Sequence, residues 1–341
     1  MPSRIIACLL FVLLVSSCGN KSDQSGKTES TNLPGTKVGL VFDIGGRGDK
    51  SFNDAAYKGL EDAKKELGID FEVIDPGDGA DRESALRKLA SKKEIGLVFG
   101  VGFIFTDDIN KIATEFPSKK FACIDYSVTP SAKIPDNVSA IEFKEEEGSF
   151  LIGALSAITS QTGKIGFIGG MESPLIRKFE NGYIQGAKSI NPSIQVLSGY
   201  VSVSPDGFKN PGKAKEIALS QYSNGADVIY HASGLSGLGL FEAARERKKL
   251  AVGVDMDQYK EAPGFVLSSM VKLVDVAVFK SIKSFKDGKF NSGVTTFGLT
   301  DNGVGFVYDN NNKDLISPAS KQKLDSIRTL ILNGSIKVTS E

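Results

Sequence analysis

Short apolar runs that end in aspartate or glycine alternate with helical stretches along most of this chain, and the alternation starts over near its middle. The first series is KVGLVFD from Lys37, a helix from Phe52 to Leu67, IDFEVID from Ile69, a helix from Arg82 to Ser91, IGLVFG from Ile95, a helix from Thr106 to Phe116, KKFACID ending at Asp125, and NVSAIEF ending at Phe143. A helix from Glu145 to Thr159 leads into the second series. It comprises KIGFIGG, a helix around Leu175 to Ser189, IQVLSGY, a helix from Pro211 to Tyr222, ADVIYHASG, a helix around Gly237 to Arg247, and LAVGVD. Apolar runs of this length separated by helices are the pattern of buried parallel strands in βαβ units. The expected fold is α/β: two doubly wound, Rossmann-like lobes with a cleft between them, for which 341 residues suffice.

The ends of the runs carry the functional signal. Those ending at Asp43, Asp125, His231 to Gly234, and Asp255 each break into polar or glycine-rich sequence, two from each series. In open α/β sheets the carboxyl ends of strands are where ligands bind. The segment FDIGGRGDKSFNDAAYKGL, Phe42 to Leu60, is the richest of them and brings a carboxylate (Asp43), an aromatic ring (Phe52) and an amide (Asn53) to that edge. Taken singly, an aspartate or glycine after a strand also serves as a helix cap or turn. Convergence of four such ends is what points to a shared binding volume.

The amino terminus indicates where the cleft works. Arg4 precedes the apolar run Ile5 to Val15, too short to span a bilayer comfortably but suited to a signal peptide covering residues 1–17. Val15-Ser16-Ser17-Cys18 resembles the lipobox of bacterial lipoproteins, in which the cysteine is lipidated and becomes the first residue. Residues 19–36, nearly free of apolar side chains, read with Cys18 as a flexible tether able to reach roughly 60 Å at about 3.5 Å per residue. The expected location is the membrane surface, facing the periplasm or the outside.

Composition excludes several classes. The chain has 41 Lys+Arg and 41 Asp+Glu, and removal of Arg4 with the signal leaves the mature charge near −1. Nucleic acid, which requires clustered basic excess, is not an expected partner. Of the three cysteines, Cys8 and Cys18 lie outside the folded body, leaving Cys123 with no partner for a disulfide. His231 is the only histidine, so a multi-histidine metal site is impossible, and no G-x-S-x-G elbow accompanies it. Gly45-Gly46-Arg47-Gly48 has neither the dinucleotide spacing nor the Walker lysine and serine. A carboxylate pair of the glycosidase kind requires a geometry that sequence does not supply.

The segment DIGGRGDKSFNDAAYKGL, with GALSA from Gly153, FIGGM from Phe167, YHASGLSGLGLFEAA from Tyr230, GVDMDQ from Gly253 and SSMVK from Ser268, resembles the basic membrane protein family of substrate-binding lipoproteins, and within it is similar to the spirochaetal purine nucleoside receptor. The resemblance covers most of the mature body. It implies the class I periplasmic-binding-protein fold with a multi-segment hinge, no enzymatic activity, no cofactor and no metal. It also implies a monomer that delivers purine nucleosides (adenosine, guanosine, inosine) to an ABC permease in the inner membrane. Binding of another small sugar-containing ligand, and display at the surface as an adhesin or host-factor binder, are the alternatives.

By the same resemblance Phe52 and Phe208 sandwich the base, with Phe179 competing for the second ring. Asp255 accepts from ribose hydroxyls, as an ionised carboxylate does well, and Asp125 accepts a base-edge N–H. Asp43 and Asn53 complete the polar lining, Gly234 lets the backbone approach the ligand, and Lys272 donates and offsets negative charge. Chain crossings are expected near Phe143-Lys144, Ser268-Ser269 and Ser292-Gly293. They give a first lobe of 37–143 plus 269–292 and a second of 144–268 plus 293–341.

Overall fold

The computed structural model describes residues 35–77, 80–129 and 133–341, so the signal peptide, Cys18 and nearly all of the tether lie outside the described residues. The first half of the body contains strands β1 (Lys37–Val41), β2 (Phe71–Ile74), β3 (Ile95–Val101), β4 (Lys120–Ile124) and β5 (Val138–Phe143). Helices α1 (Phe52–Leu67), α2 (Arg82–Ala90) and α3 (Thr106–Glu115) connect them. The next set is β6 (Lys164–Met171), β7 (Gln195–Ser202), β8 (Val228–Ala232), β9 (Leu250–Asp255) and β10 (Val266–Lys272), with α4 (Glu145–Thr159), α5 (Pro174–Ile190), α6 (Pro211–Ser223) and α7 (Gly237–Arg247). The chain closes with α8 (Val274–Lys286), β11 (Gly293–Phe297), β12 (Val304–Phe306) and α9 (Pro318–Leu332).

The strands form two six-stranded sheets, ordered β11-β5-β4-β3-β1-β2 and β12-β10-β9-β8-β6-β7. Setting aside β11 and β12, the second sheet repeats the order of the first. All neighbours are parallel except β10 and β12, which run antiparallel. Every residue of β3 and β8 is buried, as strands covered on both faces by helices must be. Each sheet reverses its strand order beside its central strands, β1/β3 and β6/β8, which opens a crevice at their carboxyl ends.

Two of the expected crossings are corrected by the strand pairing. Residues 269–272 belong to β10, which pairs with β9 in the second sheet, and 293–297 form β11, which pairs with β5 in the first. The chain therefore passes between sheets after β5, after β10 and between β11 and β12. The physical reason is that β10 is the fifth strand of the second winding, the counterpart of β5; its polar SSMVK lacks the apolar signature of a central strand. Helix α8 then packs on α1, with Ala277, Val278 and Ile282 against the cluster that holds Ala56, Leu60 and Ala63. In the second lobe α4 and α5 pack closely because a Cβ on Gly186 would lie 1.9 Å from the Phe150 carbonyl oxygen.

Candidate functional site

The first lobe builds its side of the cleft from a single loop and two strand ends. After β1, Asp43 lies in the wall with its Oδ1 accepting from the Ile44 amide (2.7 Å), while its own amide donates to Asn53 Oδ1 (2.9 Å). Ser51 precedes α1 but does not cap it. Asp49 does so instead, its carboxylate accepting from the amides of Ser51, Asn53 and Asp54 at 2.9, 2.8 and 3.1 Å. That arrangement fixes the start of α1 and turns Phe52 and Asn53 into the cleft. Asp125 follows β4, and Phe103 follows β3 in a short 3-10 turn.

The second lobe contributes the opposite wall. Asp255 ends β9 and Lys272 ends β10, both buried. Phe208 stands in the 3-10 turn after β7; Gly170 makes room for its ring, since a Cβ there would sit 2.4 Å from it. Gly234, at φ 53°, starts the turn after β8. Asp125 and Asp255 also adopt left-handed backbone, φ 60° and 65°, so each lobe presents its aspartate from an unusual conformation at a strand end.

Contacts between the lobes close the cleft. Lys272 Nζ lies 2.6 Å from Asp125 Oδ2 across the cleft and, within its own lobe, 3.1 Å from Glu145 Oε1. The ammonium also sits 5.0 Å from the centres of the Phe52 and Phe143 rings and 5.5 Å from that of Phe179, within cation–π range. Ser51 Oγ donates to Asp255 Oδ2, and Gln258 Nε2 donates to the Lys50 carbonyl at 2.9 Å. Phe103 meets Phe208 edge to face, 6.5 Å between ring centres.

Burial dominates the electrostatics. It pushes Asp43 up to about 7 against the pull of the Ile44 amide, and Asp255 up to about 7 against Lys272 and Ser51. Asp125 is raised to about 6, burial outweighing the attraction of Lys272. For Lys272 burial acts downward, but Asp125, Glu145 and Asp255 outweigh it and hold the ammonium firmly protonated.

Asp43, Phe52, Asn53, Asp125, Phe208, Gly234, Asp255 and Lys272 all line one cavity, with about 500 Å3 of atom-free space, part of it open to solvent. Phe179, the competing ring, lines it too. Sequence reasoning missed Asp49 and Phe103, which share the wall, and Glu145, which anchors Lys272 from behind. His231 is fully buried in β8 behind the cavity. Gln258 Oε1 accepts from the Val254 amide and lies 3.0 Å from His231 Nε2, so this nitrogen carries the ring proton and Nδ1 accepts from Ser233 Oγ. Burial pulls its pKa down to about 4, leaving a neutral strut. Among the described residues no cluster of three or more His, Cys, Asp or Glu side chains could hold a metal.

Two doubly wound lobes of the same strand order, three chain crossings and a closed cleft at the strand carboxyl ends define the periplasmic-binding-protein class. Residues 36–341 match the Bmp family, described as ABC transporter substrate-binding protein PnrA-like, and the chain belongs to that family. It is 34% identical to basic membrane protein D of Borreliella burgdorferi over 99% of this chain and 95% of that protein. It is 33% identical to the ABC transporter nucleoside-binding protein BmpA of Lactococcus lactis over the full length of both. A crystal structure of an ABC transporter solute-binding protein from Aeropyrum pernix superposes with a TM-score of 0.81 at 28% identity, over 89% of this chain and 93% of that one.

Proposed function

We propose that the cleft binds a purine nucleoside of the adenosine, guanosine and inosine class and presents it to an ABC permease. The observation that carries the reading is the pairing, in one cavity, of aromatic faces with buried acceptors: Phe52 and Phe208 stand beside Asp43, Asp125 and Asp255, and Asp125 Oδ1 is buried without a hydrogen-bond partner. An acceptor in that state favours a ligand that brings a donor. A nucleoside offers a flat ring to stack and N–H and O–H groups to donate. Phe52 and Phe208 hold the base, Asp125 and Asn53 read its edge, and Asp255 with Lys272 holds the ribose.

Four carboxylates, Asp43, Asp49, Asp125 and Asp255, face Lys272, which among the described residues is the lone cationic side chain of the wall, so a phosphate is disfavoured. The test is calorimetry with adenosine, guanosine, inosine and AMP, together with mass spectrometry of small molecules released on denaturation. Nucleosides bind and AMP binds far more weakly; equal affinity for AMP, or no nucleoside binding at all, overturns the reading.

The same proposal places the mature chain on the membrane through lipid at Cys18, as a monomer facing the periplasm or the outer surface. Cys18→Ala moves it from the membrane to the soluble fraction. Ligand touching both lobes favours the closed form, since only that form makes both sets of contacts. Small-angle scattering detects the compaction.

A further inference from the structure

Beside the cleft lies a second hollow, with about 600 Å3 of atom-free space, part of it open to solvent. Its walls come from Asp125 and the residues that follow it, from Glu142 and Phe143 at the end of β5, from Glu145 at the start of α4, and from Leu175 and Lys178 of α5. Asp125 and Leu175 line both spaces, so the two adjoin.

The hollow is rich in carboxylates, and besides its lysine the side-chain donors in its lining are the hydroxyls of Tyr126, Ser127 and Thr129. Asp125 Oδ1 is buried with no hydrogen-bond partner, and Glu145 Oε1, equally buried, makes none either, having only the Lys272 ammonium 3.1 Å away. Among the described residues the Glu142 carboxylate forms neither an ion pair nor a hydrogen bond, although Lys178 lies close enough to draw on it electrostatically. Lys178 itself is committed, donating to the Phe143 carbonyl at 3.1 Å and to Glu145 Oε2 at 3.3 Å. Three carboxylates thus face two lysines that are already engaged. Beside these carboxylates a group that brings N–H donors is favoured, and a positive charge fits better than a negative one. Phe143 and Leu175 supply apolar wall for a short linker.

We propose that this hollow is an extension subsite for an amine-bearing substituent on the base of the bound nucleoside, so that the protein takes base-modified purine nucleosides as well as plain ones. The proposal rests on the nucleoside reading and on Asp125 meeting the base edge. Calorimetry on the full mature chain with adenosine, N6-(2-aminoethyl)adenosine and N6-(2-carboxyethyl)adenosine separates the possibilities. The amine binds at least as tightly as adenosine, and the carboxylate, of similar length and opposite charge, binds more weakly. Glu142→Gln weakens the amine about fivefold, the scale of a half-exposed ion pair, and leaves adenosine unchanged. If adenosine binds but both substituted forms lose about a hundredfold or more, there is no room and the subsite is refuted. Equal effects of Glu142→Gln on adenosine and the amine refute it as well. Failure of adenosine itself to bind removes the nucleoside reading instead.

Discussion

Lys272 Nζ lies 2.6 Å from Asp125 Oδ2 although the two residues extend from different sheets, and both side chains are buried. The pair is a contact across the cleft as much as a part of its wall. Replacing Lys272 by Met leaves Asp125 buried without its cation and Glu145 with Lys178 alone. Removal of one partner from a buried pair costs about 3–5 kcal/mol, and a fall of that size in urea unfolding is the expected result.

The buried aspartates predict a pH dependence with a definite sign. Asp43 and Asp255 are held near 7 against an ordinary value of 3.8, so each binds its proton more tightly folded than unfolded. Each therefore makes the ligand-free fold lose stability as pH rises from about 4 to 7. His231, lowered from 6.5 to about 4, works in the opposite direction over its own range. Urea unfolding at about pH 5.5 and pH 8 shows the individual contributions: Asp43→Asn stabilises the protein chiefly at the higher pH and flattens the dependence. Nucleoside affinity runs the other way, rising towards about pH 8, because hydroxyl and N–H donors prefer the ionised carboxylate.

The rings separate by their surroundings. On the proposed nucleoside reading, Phe52→Ala and Phe208→Ala each remove a stacking face worth about 1–3 kcal/mol, roughly fivefold to 150-fold in nucleoside dissociation constant. Phe179 is almost wholly buried, and Phe179→Ala acts first on the fold, by about 3–5 kcal/mol in unfolding. Larger loss of affinity for Phe179→Ala than for Phe208→Ala exchanges their roles.

Gly170→Ala is a remote test of the Phe208 position. The new Cβ falls 2.4 Å from that ring and displaces it, so nucleoside affinity drops towards that of Phe208→Ala while the far wall, Phe52 and Asp125, is untouched. Unchanged affinity would show that the ring's position is immaterial.

Much of this arrangement is legible in the chain because it is local. Apolar runs closed by Asp43, Asp125, Gly234 and Asp255 announce both the parallel strands and the edge where their polar ends meet. Glu145 was hidden by its context: it opens a run of three glutamates at a helix start, a place that favours negative charge and usually faces water, yet it is fully buried between Lys272 and Lys178. Phe103 follows a long apolar strand and reads as its continuation. The placement of β11 is set by its pairing with β5, Gly293 lying opposite Ser139, far away in the chain, and the polar SSMVK of β10 gives no periodic sign of the strand that pairs with β9. Asp49 reads as a turn residue, and its use as the cap of α1 appears only with the loop's three-dimensional path.

The three crossings also dictate an order of assembly. Helix α8, which with α1 covers one face of the first sheet, and its edge strand β11 are made only after the second winding is complete. A nascent chain emerging amino terminus first thus holds its first half with that face covered by α1 alone until residues near 297 arrive, and the two lobes reach completion nearly together. Cutting the chain at Phe143 yields an unfinished half rather than an independent module, because the partners of α1 and β5 lie beyond the cut.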